Sequence, residues 1–329
     1  MHYFDFCVKY FCKSGRSAAW LAHQLGVLGV GGSNPLAPIT FRNKMSLFFF
    51  FIHHLGHFLP RPVAEFITRR IADICYFTLY REGRNNYLKN IEPVIGGFSS
   101  KREMLEMGLK GVRDFAVFIY EFLLVPRLKR WNYRRFMIPV NFERAAEAFK
   151  RGKGVIILTA HLGNYEWGAV LLRLQGYPLS VISIRSESQY ITEFYERKRR
   201  SQEIEVIYTG KASIGAIKSL KRGKMVAIVG DRVFTEDGIE VEMFGKKTLL
   251  PKGPFYLALL TGAPIIPAFS VKERDRKYHV YFEPEIEIEK YGNTERTIEK
   301  NIHKWAKILE KYIKRYPEQW HRFDRVWIE

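Results

Sequence analysis

The second half of the chain alternates between short apolar runs and amphipathic stretches. Val155–Leu158 is an unbroken aliphatic run, which is typical of a strand buried on both faces of a sheet. After a short turn, apolar residues recur at helical spacing as far as Leu174, so a helix follows this strand. The same reasoning predicts helices at 142–151, 189–202, 212–221, 254–260 and 294–316, and strands at 179–184, 205–208, 225–229, 264–269 and 278–282. This alternation predicts an α/β fold with a mostly parallel central sheet flanked by helices.

In the first half of the chain, the hydrophobic pattern predicts helices and no strands. Helices are expected around 84–91 and, as a long amphipathic element, at 101–124. We therefore expect an N-terminal helical, membrane-anchoring region at 45–140. The α/β core, with a C-terminal amphipathic helix, is expected at 141–329.

The start of the chain contains two unlike segments. Residues 1–44 are Gly-rich without sustained periodicity and resemble a translated transfer-RNA gene, so we expect the natural start at Met45, with 1–44 not native or disordered. Residues 45–59 are very apolar, yet shorter than the roughly 20 residues that a straight membrane span needs. An interfacial anchor fits better, because Arg69 and Arg70 on the following helix could meet anionic headgroups. The apolar side chains expected to be buried in the membrane interface beside these arginines are Phe66, Ile67, Ile71 and Ile74. The alternative is a buried first helix of a globular fold.

Composition and charge narrow the class of protein. A chain of 329 residues with 47% hydrophobic residues can bury a full core. Its formal net charge of +19 implies an anionic partner, for which nucleic acid, lipid headgroups and an acidic protein are the candidates. The three cysteines, Cys7, Cys12 and Cys75, all lie in the first half, which excludes a disulfide framework and a cysteine nucleophile in the second. Such sparse cysteines suit a reducing compartment.

A histidine and a carboxylate lie where the first buried strand passes into its helix. In open α/β sheets the reactive crevice lies beyond the carboxyl ends of the strands. We expect His161 in the turn and Glu166 in the first helical turns, so that the carboxylate can reach the imidazole. Glu166 would then fix the tautomer of a ring that removes a proton from a hydroxyl, and Gly163 would let the backbone approach a substrate. The alternative is a core histidine that hydrogen-bonds a nearby carboxylate.

Two other segments carry polar residues at predicted strand ends or helix starts. Asp231 and Arg232 follow a strand, where they could bind an anionic group, brace the base or be structural only. Residues 244–245 and 251–254 bracket a helix start near Gly253 that could hold a phosphate.

The chemistry is narrowed by the motifs that the sequence lacks. It contains no G-x-S-x-G elbow, no Walker loop, no G-x-G-x-x-G after a strand and no histidine spacing typical of a metal site. We therefore expect no metal, no cofactor and no covalent nucleophile. What remains is a base that activates a substrate hydroxyl for attack on an activated acyl carbon, with positive or N–H groups holding the oxyanion.

The segment 161–169, His-Leu-Gly-Asn-Tyr-Glu-Trp-Gly-Ala, resembles the signature of the late acyltransferases of lipid A biosynthesis. This lauroyl/myristoyl acyltransferase family belongs to the lysophospholipid and glycerolipid acyltransferase superfamily. The likeness covers about 45 to the C-terminus and continues in order through Asp231-Arg232, Met243-Phe244-Gly245, Pro251-Lys252-Gly253-Pro254, Leu257-Ala258, Thr261-Gly262-Ala263-Pro264 and Tyr316-Pro317-Glu318-Gln319-Trp320.

The resemblance implies an enzyme at the cytoplasmic face of the inner membrane that contributes to lipopolysaccharide biosynthesis. It would move a fatty acyl group from acyl carrier protein, or from acyl-CoA, to a lipid hydroxyl, with a lipid A precursor as the first expected acceptor and anionic lipids around it. By position, His161 and Glu166 correspond to the family's catalytic pair, and Arg199 to an active-site arginine. The substrate-binding candidates are Asn164, Arg185, Arg199, Asp231, Arg232 and Gly253.

Two departures from the family pattern leave the acceptor open. Arg232 stands where the lipid A enzymes usually have Gln, and residues 319–323 end differently from the usual His-Arg-Arg-Trp pattern. Another glycolipid or a lysophospholipid therefore remains an alternative acceptor. A non-enzymatic basic protein that binds membranes or nucleic acid is a second hypothesis. It finds little support, because no nucleic-acid-binding motif occurs and the basic residues are spread along the chain, so no nucleic-acid partner is expected.

Overall fold

The computed structural model describes residues 59–185, 189–209, 212–233 and 238–328. The expectations for residues 1–44 and for the apolar stretch that ends at Leu59 therefore lie almost entirely outside the described residues and stay predictions.

Nine α-helices and nine strands occupy the described ranges. The helices are α1 (Arg61–Thr78), α2 (Arg81–Ile95), α3 (Lys101–Leu123), α4 (Glu143–Lys150), α5 (Tyr165–Leu174), α6 (Gln189–Arg200), α7 (Ala212–Lys221), α8 (Gly253–Thr261) and α9 (Thr294–Arg315). The strands are β1 (Met137–Val140), β2 (Val155–Thr159), β3 (Leu179–Ser183), β4 (Glu205–Tyr208), β5 (Met225–Val229), β6 (Gly238–Met243), β7 (Lys246–Pro251), β8 (Ile265–Lys272) and β9 (Tyr278–Phe282).

Seven of the strands form one central sheet in the order β1-β9-β8-β2-β5-β3-β4. All neighbouring pairs are parallel except β8 and β9, which are antiparallel. The prediction of a mostly parallel sheet flanked by helices is thus confirmed. Because every residue of β2 is buried, the prediction of a strand covered on both faces is confirmed as well.

The two faces of the sheet have separate apolar cores because successive side chains of a strand point to opposite sides. Ile157 of β2 belongs to the core that α4, α5 and α6 cover. Ile156 and Leu158 belong to the core that α7, α8 and α9 cover, to which α1, α2 and α3 also contribute. Helices on both faces leave the strand ends as the place where polar groups from several strands can meet.

Three strands were not predicted from the sequence. β1 is a short edge strand that contains Pro139, and its pairing with β9 starts the sheet four residues before the predicted boundary at 141. Proline cannot donate to a ladder, which is why it is tolerated at an edge and hides such a strand from prediction. β6 and β7 form an antiparallel hairpin whose turn, Phe244-Gly245, has positive φ at both residues. That dipeptide was expected to bracket a phosphate-binding helix start, but it is the hairpin turn.

A buried carboxylate ties the N-terminal helices to the sheet. Glu121 of α3 is fully buried and accepts hydrogen bonds from Arg61 of α1 at 2.7 Å and from Lys272 of β8 at 3.0 Å. It also accepts from the hydroxyl of Tyr278 and from the side-chain amide of Asn164 at 3.1 Å. A buried charge is tolerated only when such partners replace water, so these contacts fix how α3 sits against the sheet.

The outer side of α1 presents apolar residues to solvent. Phe66, Ile74 and Phe77 are 61%, 64% and 61% exposed and recur at helical spacing. Arg70, beside them, lies over the ring of Phe66 at 5.5 Å. Within the described ranges, no helix combines the length and the apolar composition needed to cross a membrane.

Replacing the Glu121 side chain tests whether this carboxylate holds the helices to the sheet. Glu121→Ala leaves Lys272 without its anion and Arg61 with Glu65 as its remaining anion. We therefore expect a loss of about 3–5 kcal/mol in the free energy of unfolding, measured by urea denaturation. The control is Glu106→Ala on the same helix, whose exposed pair with Arg102 should contribute less than about 1 kcal/mol. Equal losses in the two variants would contradict this role.

Candidate active site

The pairing of β2 with β5 determines which residues meet at the carboxyl edge of the sheet. In this parallel ladder Val155 lies beside Met225 and Thr159 beside Val229, an offset of 70 along the chain. Two residues beyond the last pair, the same offset brings His161 next to Asp231. Two adjacent parallel strands therefore deliver a histidine and a carboxylate to one point.

The His161 imidazole contacts that carboxylate directly. Its Nδ1 lies 2.7 Å from Oδ1 of Asp231, and both side chains are almost completely buried. The Tyr165 ring stands edge-on to the imidazole, with the ring centroids 5.5 Å apart. A ring that donates its Nδ1 proton to a carboxylate carries its acceptor lone pair on Nε2. In its uncharged form the ring therefore has a fixed tautomer.

Burial and the neighbouring charges act in different directions on the His161 ring and the Asp231 carboxyl. Burial lowers the pKa of the His161 ring, although the Asp231 carboxylate acts in the opposite direction. Burial works against ionisation of Asp231, but His161, Arg322 and a hydrogen bond from Trp320 outweigh it and hold the pKa of that carboxyl below its usual range. Near neutral pH the pair consists of an ionised carboxylate and an uncharged imidazole.

The C-terminal segment, residues 317–323, holds both partners of this pair. Its main chain runs beside the turn after β2: the amide of His321 donates to the carbonyl of His161 at 2.8 Å, and the amide of Gly163 donates to the carbonyl of Gln319 at 2.9 Å. Trp320 donates its indole N–H to Oδ2 of Asp231 at 3.0 Å. The site is thus closed by a segment about 160 residues away in sequence from His161.

The turn that carries His161 requires glycine at position 163. Gly163 has φ +59°, and a Cβ there would lie 2.1 Å from the carbonyl oxygen of Ser270 on β8. That same oxygen accepts a hydrogen bond at 2.8 Å from the amide of Asn164. The predicted close backbone approach at Gly163 is therefore to β8 of the protein itself.

Glu166 does not provide the carboxylate at Nδ1 of the ring, contrary to the sequence-based expectation. It lies in the first turn of α5, as predicted, but it accepts two hydrogen bonds from Arg199 of α6, at 2.5 and 3.1 Å. A further nitrogen of Arg199 donates to Ser183 at the end of β3. Burial opposes the charge of Arg199, yet Glu166 outweighs it and raises the pKa of the guanidinium. Asp231 takes the orienting place because it faces the ring across the strand pair.

The other substrate-binding candidates are spread over the same edge. Asn164 caps α5 by accepting from the amide of Trp167 at 3.0 Å, in addition to its bond to the buried carboxylate of α3. Arg185 is exposed, with its guanidinium over the ring of Tyr208 at 4.4 Å. Arg232 pairs with the carboxylate of Asp324 at 3.2 Å. Their contacts to a substrate stay predictions.

Gly253 is the first residue of α8, as the sequence suggested for the helix start near it. Nothing lies within 4 Å of the place where a Cβ would stand, so the backbone at this helix start is open to approach. Its binding of a phosphate also stays a prediction. Among the residues that the structure describes, no group of three histidine, cysteine or acidic side chains is arranged to hold a metal ion.

Trp320 and Arg322 lie beside Asp231, which the sequence did not predict. Arg322 donates to the main-chain carbonyl of Asp231, next to the indole bond from Trp320. For Trp320 the sequence carries a signal, because one of the motifs of the family likeness ends at this residue. The contact of Trp320 with Asp231 could not be inferred without the strand order.

This geometry can be compared with known proteins. The profile of a family described as bacterial lipid A biosynthesis acyltransferase matches residues 39–329. The chain belongs to this family.

Among curated proteins, the chain is similar to phosphatidylinositol mannoside acyltransferases of two mycobacteria. It is 26% identical over 195 residues to that of Mycolicibacterium smegmatis, which covers 57% of this chain and 62% of the relative. It is 23% identical over 212 residues to that of Mycobacterium tuberculosis, covering 61% and 65%. The chain therefore spans less than two thirds of the length of these relatives. Family and relatives share acyl transfer in their names, while the acceptors in those names differ.

Two glycines with nearly the same φ test the tight turn of this acyltransferase-family chain. Gly292→Ala, at φ +58° with nothing within 4 Å, should cost only about 1–2 kcal/mol of backbone strain. Gly163→Ala adds a clash with the main chain of β8, so we expect several kcal/mol more, roughly the size of severe core mutations, in urea denaturation. A cost no greater than that of Gly292→Ala would show that the approach is not tight.

Proposed function

We propose that this protein transfers a fatty acyl group from a thioester donor to a sugar hydroxyl of a membrane glycolipid, with His161 as the general base. The observation that carries the proposal is the 2.7 Å contact between Nδ1 of His161 and Asp231 in a buried site at the carboxyl edge of the sheet. A base held by a second group is the arrangement that activates a hydroxyl for attack. Family membership supplies the acyl chemistry.

The bonds formed and broken follow from this arrangement. Nε2 of His161 accepts the proton of the acceptor hydroxyl as its oxygen attacks the thioester carbonyl carbon. The carbon–sulfur bond breaks, and the thiolate recovers a proton from Nε2 as it leaves. Asp231 stabilises the imidazolium that exists between these two proton transfers, since an ionised carboxylate favours the charged ring. Low exposure of the site strengthens that attraction.

The comparisons favour a glycolipid acceptor with an anionic headgroup. The family name points to lipid A precursors, and the mycobacterial relatives are named for phosphatidylinositol mannosides. Both kinds of lipid combine sugar hydroxyls with phosphate. Arg185, which follows β3, and the open helix start at Gly253 are two places suited to such phosphates. The lipid A precursor is one member of this class, and mass spectrometry of the labelled product distinguishes it from the others.

The net charge of +19 suits two further partners of the reaction. Acyl carrier proteins are acidic, and we take acyl carrier protein as the donor. The alternative donor is acyl-CoA, and an assay that compares the two donors distinguishes them. An anionic bilayer at the cytoplasmic face of the inner membrane is the second partner. The exposed apolar side of α1, with Arg70 beside Phe66, is suited to the interface of such a bilayer.

Two carboxylate variants distinguish the partner of the base from the partner of Arg199. Asp231→Asn removes the charge that stabilises the imidazolium, so kcat should fall by about 10²- to 10⁴-fold. Glu166→Gln leaves Arg199 buried without its anion, so its main effect should be on folding, about 3–5 kcal/mol, with a much smaller loss of kcat per folded molecule. The assay follows radiolabelled acyl groups from acyl carrier protein into extracted lipids. The reverse order of kcat losses would refute the assignment, and a fully active His161→Ala would refute the proposed function.

Membrane association through α1 can be tested with vesicles of phosphatidylethanolamine and phosphatidylglycerol. Phe66→Glu with Ile74→Glu removes two exposed apolar contacts, each contributing about 1.5–3 kcal/mol when buried, so binding should weaken by more than tenfold. Salt should weaken binding further by screening the basic surface. Leu249→Glu on β7 is the control, because it changes an exposed apolar residue of the hairpin. Unchanged binding of the double variant in a sedimentation assay would exclude α1 as the contact.

A further inference from the structure

We propose that Trp320 is a positioning residue of the base: its indole N–H holds Oδ2 of Asp231 so that Oδ1 faces Nδ1 of His161. This inference rests on the proposed function, because it concerns the same base. It gives the C-terminal segment a chemical role in addition to its structural role of packing against the site.

The contacts of the Asp231 carboxylate carry the argument. Oδ1 is bound by His161 at 2.7 Å and Oδ2 by the Trp320 indole at 3.0 Å, so each oxygen has its own donor. Arg322 donates to the main-chain carbonyl of Asp231, and its guanidinium stays 3.9 Å from Oδ2. The indole of Trp320 is an uncharged donor, and it faces the carboxylate oxygen that points away from the His161 ring. A carboxylate with two separate donors cannot rotate without losing one of them.

The main chain of the same segment makes this placement rigid. Leu162 and Trp320 face each other in an isolated antiparallel β-bridge. A main-chain hydrogen bond flanks this bridge on each side, one between Gly163 and Gln319 and one between His321 and His161. The Gln319 side chain adds two hydrogen bonds to the main chain of Lys272, at 2.8 and 2.9 Å. The indole is therefore fixed relative to the backbone of the base as well as to its carboxylate. Displacing Trp320 would move both partners of the pair.

The indole bond also sets how strongly the carboxylate attracts a proton on the ring. An N–H donor at Oδ2 withdraws charge from the carboxylate and places the positive end of its dipole beside the pair. Both effects make the imidazolium less favourable. Without the donor, His161 should therefore hold a proton up to higher pH, and the acid limb of the pH–rate profile should move upward.

The chain contains a matched control for this bond. Trp305 of α9 is as deeply buried as Trp320, and its indole donates at 2.9 Å to the main-chain carbonyl of Gly230. Gly230 is the residue immediately before Asp231. Phenylalanine at either position keeps most of the ring packing and removes one indole donor. Only the change at Trp320 removes a donor from the carboxylate.

No other charged group near the pair changes in these variants. The titratable and charged side chains on the described elements around His161 are Asp231, Arg232, His321, Arg322, Asp324, Tyr165, Glu166, Arg199 and Asp114, and His321 is paired with Asp114 at 2.9 Å. A shift confined to one variant can then be assigned to the indole.

The experiment measures the His161 ring directly and the reaction separately. Ring resonances, assigned with His161→Gln, are followed by nuclear magnetic resonance as pH is changed in wild type, Trp320→Phe and Trp305→Phe. We expect the titration midpoint of His161 to rise by about half a pH unit or more in Trp320→Phe and to stay unchanged in Trp305→Phe. In the acyl-transfer assay the acid limb should move by the same amount, about a threefold loss of kcat/KM at a fixed pH on that limb.

The outcomes separate this inference from the proposed function. Equal midpoints in the two variants, whether both shifted or both unshifted, would overturn the positioning role of Trp320 and leave His161 as the base. A midpoint that rises in Trp320→Phe alone, in a protein whose His161→Gln variant keeps full activity, would support the contact and refute the proposed function. Urea denaturation of both variants checks folding, and each should lose a similar, modest amount of stability because each leaves one buried acceptor without its donor.

Discussion

The hydrogen bond between His161 and Asp231 depends on the parallel register of β2 and β5. The offset that pairs Thr159 with Val229 in the ladder continues past both strand ends and places the two side chains together. A slip of one residue would turn each following side chain to the opposite face of the sheet. The buried aliphatic residues of both strands oppose such a slip. The apolar core is therefore what sets the geometry of the polar site.

The elements around this pair stabilise it from three directions. Trp320 and its neighbours in the C-terminal segment bond both the Asp231 carboxylate and the main chain at His161. Glu121 joins α3 to Asn164, which caps the helix that follows the base. Glu166 and Arg199 join α5 to α6. The buried carboxylates of Glu121, Glu166 and Asp231 each have named partners, as a rigid low-dielectric site requires.

Much of this architecture could be predicted from local sequence. β4, β5 and β9 have the predicted bounds, because short apolar runs between polar turns are distinctive. His161 in the turn and Glu166 in the first helical turn were also predicted correctly. The edge strand β1 was hidden by Pro139. The hairpin was missed although Ile239, Val241 and Met243 alternate with polar residues before its turn.

The partner of the histidine could not be predicted, for a physical reason. A spacing of five residues makes Glu166 the nearest carboxylate in sequence, whereas contact in space depends on which strands are neighbours. β5 lies beside β2 only because β3 and β4 are placed outside it, and that order follows from packing of the whole sheet. The sequence leaves Asp231 as a ligand of an anionic group, a brace for the histidine or a structural residue, and the strand order brings it into contact with His161.

The central claim is that Asp231 holds a proton on Nδ1 of His161 and leaves Nε2 to act as the base. A proton in such a hydrogen bond gives a strongly downfield resonance, which can be assigned through its coupling to the imidazole nitrogen of ¹⁵N-labelled His161. The account predicts that this resonance is present in the wild-type protein, persists in Glu166→Gln and is lost in Asp231→Asn. A resonance that is lost in Glu166→Gln and retained in Asp231→Asn would contradict it.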